Sequence, residues 1–351
     1  MKTIKLFPLA AVALIAFASC DNSTVAPQKN EGAIQIKFNV PEATRAEALD
    51  SEKAINDVKV LIFDSSDDLY KTYSFSGTEI TSQSATVSNV LAGSYKVYVV
   101  ANGPDLDGCA TLSALKAVQI GLAEYNGTSG GFVMEGHDDS VNVSGGETAS
   151  ADVTISRYVS RVVLKKVTNS LPEAYGTLTV DRAFISNAVG IQNLGGSYTP
   201  SDASGWFNKE GRKDETTRDA GHIIDGSSYT ATAADLTFAA IGQSASNGGS
   251  YDDVNYFYAY PNSATAEPNG FVEPFAAQRS VLVIVGTFAN RTYYYPVVLS
   301  NGLARNTSYE VEATITGAGS EDPNKPVQSG SITVTITVQD WIDGTSYTET
   351  F

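Results

Sequence analysis

Ile34-Gln35-Ile36-Lys37-Phe38-Asn39-Val40 near one end of the chain, and Ile332-Thr333-Val334-Thr335-Ile336-Thr337-Val338 near the other, share one pattern: four apolar side chains spaced two apart, with polar residues between. A period of two puts the apolar set on one face of a β-strand and the polar set on the other. The same alternation recurs at 58–63, 84–90, 95–101, 141–143 and 151–155, then at 160–164, 177–185, 255–260, 281–288, 292–299 and 308–316. Turn clusters such as Asp64-Ser65-Ser66-Asp67-Asp68 and Leu91-Ala92-Gly93-Ser94 separate the runs. One helix is expected, over 111–123, from Leu112, Leu115 and Val118 at three-residue spacing. Many short strands with few helices specify an all-β chain with one or two short helices, built as two β-sandwich domains in tandem.

Composition agrees with this reading. The chain has 351 residues, 42% hydrophobic and 18% charged, which is enough for two domains of roughly 100–200 residues each. Its net charge of −16 would repel a phosphate backbone, so nucleic acid is not an expected partner. Two Cys and two His leave little for a disulfide framework, a zinc site or a histidine-based triad. No phosphate loop, nucleophile elbow or paired-carboxylate motif is visible. Neither a catalytic residue, a metal nor a cofactor is therefore expected, and the chain does not read as an enzyme.

Lys2 and Lys5 precede an apolar run, 6–18, that matches a secretory signal and is short for a membrane span. Phe17-Ala18-Ser19-Cys20 resembles the small-residue site where a lipoprotein signal peptidase cuts before a cysteine that then carries lipid, palmitate included. Cys20 is thus the expected lipidation site, and Asp21-Asn22-Ser23-Thr24 its polar tether. The loop Pro41-Glu42-Ala43-Thr44-Arg45-Ala46-Glu47 follows the first alternating strand and offers one Arg to a trypsin-like or arginine-specific protease. Cleavage between Arg45 and Ala46 would remove the strand bearing Ile34, Ile36, Phe38 and Val40. The strand bearing Ile332, Val334, Ile336 and Val338 of a neighbouring copy has the side-chain spacing to fill the groove left behind. Two such strands also match by chance in ordinary β-proteins, so alternation alone leaves a plain pair of sandwiches open.

Further residues narrow that choice. Tyr293-Tyr294-Tyr295-Pro296-Val297, Arg305-Asn306-Thr307-Ser308-Tyr309-Glu310-Val311, Ala313 to Gly319, Asp322-Pro323-Asn324-Lys325-Pro326 and Gln339-Asp340-Trp341 resemble the C-terminal half of the FimA-like major fimbrillins, the type V pilins. Ile155-Ser156-Arg157-Tyr158-Val159-Ser160-Arg161-Val162, Cys20 and Thr44-Arg45-Ala46 extend the resemblance over nearly the whole chain. It is strongest from Tyr293 to Trp341 and weak from Asn187 to Ser250.

The resemblance implies transthyretin-like sandwiches and a lipidated precursor at the outer membrane. It also implies cleavage after Arg45 and assembly by strand exchange into an extracellular fimbria. The expected parts are a signal peptide (1–19), a lipidated propeptide with the first strand (20–45), an N-terminal sandwich (46–156), a C-terminal sandwich (157–330) and a donor strand with its tail (331–351). Residues 1–45 hold five basic and three acidic side chains, so their loss would take the net charge from −16 to −18. Expected partners are copies of the chain, other fimbrial subunits, an arginine-specific protease and a ligand on a host or bacterial surface. A shaft role fits the retained C-terminal strand better than a tip role.

The alternative function is a permanently lipid-anchored module that binds glycans through Tyr256, Tyr258, Tyr260 and Tyr293 to Tyr295. Asp105-x-Asp107-Gly108 matches part of a calcium loop, but reads as a turn for want of the later acidic ligand. His137-Asp138-Asp139 and His222 read as solvated, and Cys109 as a buried structural thiol. The stretch 187–250 reads as a long surface excursion over the second sandwich.

Overall fold

The computed structural model describes residues 30–40, 50–125, 131–196, 205–208, 234–264, 279–299, 302–321, 331–340 and 346–350. The chain is all-β, in two tandem sandwiches. The first contains β1 (Glu31–Asn39), β2 (Val58–Phe63), β3 (Leu69–Ser74), β4 (Ser84–Leu91) and β5 (Gly93–Ala101). It is completed by β7 (Met134–Val143), β8 (Thr148–Thr154) and β9 (Ser156–Arg157), with β6 (Gln119–Gly121) lying apart. One sheet has the order β4-β1-β8 and faces a second of order β3-β2-β5-β7-β9.

The remaining strands are β10 (Ser160–Asn169), β11 (Leu178–Ser186), β12 (Ala188–Val189), β13 (Ile191–Asn193), β14 (Trp206–Phe207), β15 (Phe238–Ala245) and β16 (Ser250–Tyr251). They continue through β17 (Asn255–Ala259), β18 (Val281–Phe288), β19 (Arg291–Val298), β20 (Thr307–Ile315), β21 (Ile332–Asp340) and β22 (Ser346–Thr350). The second sandwich packs a six-stranded sheet, β16-β10-β20-β21-β22 with β17 also on β10, against a four-stranded sheet, β15-β11-β18-β19.

Three of the four buried apolar clusters among the described residues position the site. Ile34, Ile36 and Phe38 of β1 meet Val58, Val60, Ile62, Val97 and Val99 between the first two sheets. Leu61, Phe63, Tyr98 and Val100 point the other way, into a second core shared with Leu112, Leu115, Tyr158, Trp206 and Tyr260. That is why Val58–Phe63 reads as a nearly continuous apolar run: the strand is buried on both faces. The third core, inside the second sandwich, joins Val162, Leu164, Ile284, Val311, Val334, Ile336 and Val338.

The expected helix is shorter than its periodicity predicts. Thr111 caps it, its side chain accepting from Ala114 N at 3.1 Å, but it runs only Leu112–Ala117. Val118 is extended, and Gln119, Ile120 and Gly121 instead pair with Asn193, Gln192 and Ile191. The stretch 187–250 is also more than a surface excursion. Trp206 is buried, and Phe238–Ala245 pairs with Leu178–Phe184 as an edge strand of the second sandwich. Among the described residues no helix is long and apolar enough to cross a membrane.

Candidate functional site

β1 is the middle strand of its sheet. Its residues 33–39 run parallel to Thr148–Thr154 on one side, and its residues 31–37 run antiparallel to Leu91–Ser84 on the other. Ile34 and Ile36 are 0% exposed and Phe38 3%, the last packed edge-on to Phe75 at 5.3 Å. Ala33 N donates to Glu147 O at 2.9 Å, Phe38 N to Gln83 O at 3.1 Å, and Ile155 N to Asn39 O at 3.0 Å. Val40 lies one residue past the strand and is half-buried against the same core. Three of the four apolar residues read from the sequence thus fill the slot, and the fourth closes its end.

β21 lies between two antiparallel partners of its own sandwich: Ile332↔Ile315 and Asp340↔Thr307 bound its pairing with β20, and 335–339 pair with β22. Val334, Ile336 and Val338 are buried and Ile332 half-buried. In the single chain, then, this strand covers its own domain. Cys20, Arg45 and Ala46 lie outside the described residues.

Where the two sandwiches meet, a polar cluster appears that the sequence reading missed. A short helical turn, Asp50–Lys53, precedes β2, and its Glu52 side chain is 0% exposed. Arg161 Nη1 donates to Glu52 Oε2 at 3.0 Å, Tyr258 OH donates to Glu52 Oε1, and Arg157 Nε donates to the Glu52 carbonyl at 2.8 Å. Burial lowers the Arg157 pKa to about 10.

Nearby, Arg305 donates to Glu135 O at 2.8 Å and Ser156 O at 3.0 Å while stacking 3.8 Å from the Tyr158 ring. Burial alone would raise the Glu135 pKa, but its hydrogen bond with His137 and the charge of Arg305 outweigh that and hold it below the usual carboxylate value. The hydrogen bond to Glu135 raises the His137 pKa against the opposing effect of its own burial. The sequence signal was present on one side only: arginines inside the apolar run 157–164 must be paired or unfavourable. Nothing marks Glu52 as their partner, because it is more than a hundred residues away.

The other constellations resolve simply. Lys59 lies between Asp105, at 3.5 Å, and Asp107, so an ammonium already meets those carboxylates. Cys109 is buried, which pushes its thiol pKa up and away from reactivity. Tyr258, Tyr260 and Tyr295 are buried, which removes them from any surface that could stack on sugars. His222 is outside the described residues. The described residues contain no group of three or more His, Cys, Asp or Glu able to hold a metal ion.

Residues 34–172 match the family of the major fimbrial subunit protein (FimA). No curated protein matches the chain. Among solved structures, a candidate cell adhesion protein from Bacteroides eggerthii DSM 20697 is 21% identical, with a TM-score of 0.62 over 89% of this chain and 96% of that one. A fimbrilin (fimA) from Porphyromonas gingivalis W83 is 14% identical, with a TM-score of 0.59 over 89% and 98%. A C-terminally truncated tip fimbrial protein from Porphyromonas gingivalis is 12% identical, with a TM-score of 0.51 over 89% and 100%. Residues 34–172 thus match the FimA family and the chain shares the fold of the fimbrilin, while Tyr293 to Trp341, where the resemblance read from the residues is strongest, lies outside the matched segment.

Proposed function

We propose that the chain is a structural subunit of a bacterial surface fimbria, of the shaft rather than the tip. In this reading it is exported as a lipoprotein acylated at Cys20, held at the outer membrane, and cut between Arg45 and Ala46. The first strand then leaves, and the C-terminal strand of another copy or subunit replaces it. The observation that supports this most directly is the place of β1 in the middle of a three-stranded sheet. Its departure leaves Ser84–Leu91 and Thr148–Thr154 facing each other across a gap one strand wide, with unpaired backbone groups on both sides. Only another extended segment with alternate apolar side chains satisfies that gap. Burying Ile34, Ile36 and Phe38 stabilises by about 5–9 kcal/mol at roughly 1.5–3 each, so an empty slot is strongly driven to refill.

Adhesion to host or bacterial surfaces would then belong to loops of the second sandwich carried along the fibre. The role is mechanical rather than catalytic. The test is electron microscopy of the purified full chain before and after cleavage by an arginine-specific protease, with mass spectrometry of the new end. Filaments should form only after cleavage, with Ala46 at the N-terminus. A cleaved chain that stays monomeric, or surface copies that all retain lipidated Cys20, would rule the reading out.

A further inference from the structure

Alternation decides which face of a strand enters the slot, but not how far along it the strand sits, because a slip of two residues leaves the same face inward. Gly32 supplies the missing constraint. It lies at a β-bulge between Gly32 and Ala33, beneath a turn whose backbone closes over the start of β1. Gly146 N donates to Glu31 O at 3.0 Å, Glu147 N to Ser144 O at 3.2 Å, and Ala33 N to Glu147 O at 2.9 Å. A Cβ at position 32 would fall within 3.0 Å of the carbonyl oxygens of both Glu147 and Ser144, and of a Val143 methyl. Those oxygens are backbone and fixed by the turn, so they cannot swing aside as a flexible side chain would. This end of the slot accepts glycine.

Gly32 stands two residues before Ile34, and Gly330 stands two residues before Ile332. From 320 to 343 the sequence holds no other glycine. We propose that Gly330 of an incoming second copy takes the place of Gly32 and so fixes both the register and the direction of the inserted strand. Ser331 then follows Ala33, and Ile332, Val334, Ile336 and Val338 follow Ile34, Ile36, Phe38 and Val40. A two-residue slip would put Ile332 or Gln328 under the turn. Reversed insertion with Val338 in the first apolar position would put Asp340 there. All three carry a Cβ where the turn leaves no room, so one arrangement survives: the donor lies parallel to Thr148–Thr154 and antiparallel to Ser84–Leu91. The proposal rests on the strand-exchange reading and adds to it a specificity-determining residue.

Cross-linking between copies of the full chain, cleaved at Arg45, tests it. Gln35 lies opposite Thr86, and both are on the solvent face. In the proposed register Thr333 replaces Gln35, so Thr86→Cys in one copy and Thr333→Cys in another should form an interchain disulfide. Thr86→Cys with Thr335→Cys or Ser331→Cys, which report the two slips, should not. Gly330→Val should slow assembly about tenfold or more, as forced overpacking does, with the melting temperature of the uncleaved chain measured beside it as the control for its own fold. Gly32→Ala should lower the melting temperature of the uncleaved chain.

Cross-links through Thr335→Cys or Ser331→Cys would overturn the register while leaving strand exchange intact. A Gly330→Val chain that assembles at the normal rate with the Thr333→Cys cross-link, or a Gly32→Ala chain with unchanged melting, would overturn the part given to glycine in setting that register. Absence of every interchain cross-link and of filaments would instead overturn strand exchange itself, and the register with it.

Discussion

β1 and β21 resemble each other in sequence and bury similar apolar faces, yet they hold different places in their sheets. β1 joins two strands that touch only through it, one parallel and one antiparallel. β21 has only β22 beyond it, and the ladder between β10 and β20 persists without either. Losing the first strand splits a sheet into two edges across a slot; losing the last pair trims one edge. The two strands are thus distinguished by topology rather than by hydrophobicity. A slot flanked on both sides specifies one occupant, whereas a trimmed edge requires none.

The largest expected effect breaks the comparison at its root. Deleting residues 30–40 should cost the first sandwich about 5–9 kcal/mol in lost burial and expose β4 and β8 to rapid hydrogen exchange. Deleting 331–351 should leave the amides shared by β10 and β20 protected. Equal loss of protection in the two sandwiches would show that the topological difference has no consequence. The same deletion should abolish detergent-resistant ladders on unheated gels.

Next in size is Glu52→Ala, which asks whether the two regions communicate. It leaves the buried guanidinium of Arg161 without its carboxylate, a change that costs about 3–5 kcal/mol. Thermal unfolding of the chain should then separate into two transitions; a single transition at the original temperature would mean the junction does not couple the sandwiches. Ile36→Ala and Ile336→Ala sharpen the comparison further. Each should destabilise the uncleaved monomer by about 2–5 kcal/mol in chemical denaturation. Under the proposed strand exchange, in which Ile36 leaves with the first strand, only Ile336→Ala should lower the heat resistance of ladders in assembled material.

The smallest effect is a pH dependence of the first sandwich at its junction face. The His137 pKa is raised in the fold, so its imidazolium adds stability that is fully present below the unfolded value of 6.5 and is lost as pH rises through the higher folded value. Glu135 is depressed, so its contribution is present above 4.5 and is lost as pH falls through its lower folded value. His137→Gln should therefore flatten the melting-temperature profile above pH 6.5. An unchanged profile would show that His137 is uncoupled from folding.

Most strands were legible because each has one buried and one exposed face, which writes a period of two into the sequence. Leu69–Ser74 and Phe238–Ala245 were not. Both are edge strands with mixed exposure, and the second is rich in Ala and broken by Gly242 at φ 65°. The helix over 111–123 was overread because Ile120 and Gly121 gain more from pairing across the junction than from another turn. The inward faces of β1 and β21 were legible down to individual side chains, apart from Val40 and Ile332, which are half-buried. The close fit over Gly32 was not, since a glycine in a strand looks the same whether it is tolerated or required. Glu52 was hidden for a different reason: in Asp50-Ser51-Glu52-Lys53 it reads as one more solvated acid.

That buried carboxylate bears on where the chain is free to be severed. Asp50–Lys53 is moored at the waist of the molecule through Arg157 of β9, Arg161 of β10 and Tyr258 of β17. A cut between Val40 and Asp50 would therefore leave the new terminus at most nine residues of chain from that mooring. The swing of the new terminus is limited to the few residues ahead of its mooring, whatever becomes of the strand that once preceded it.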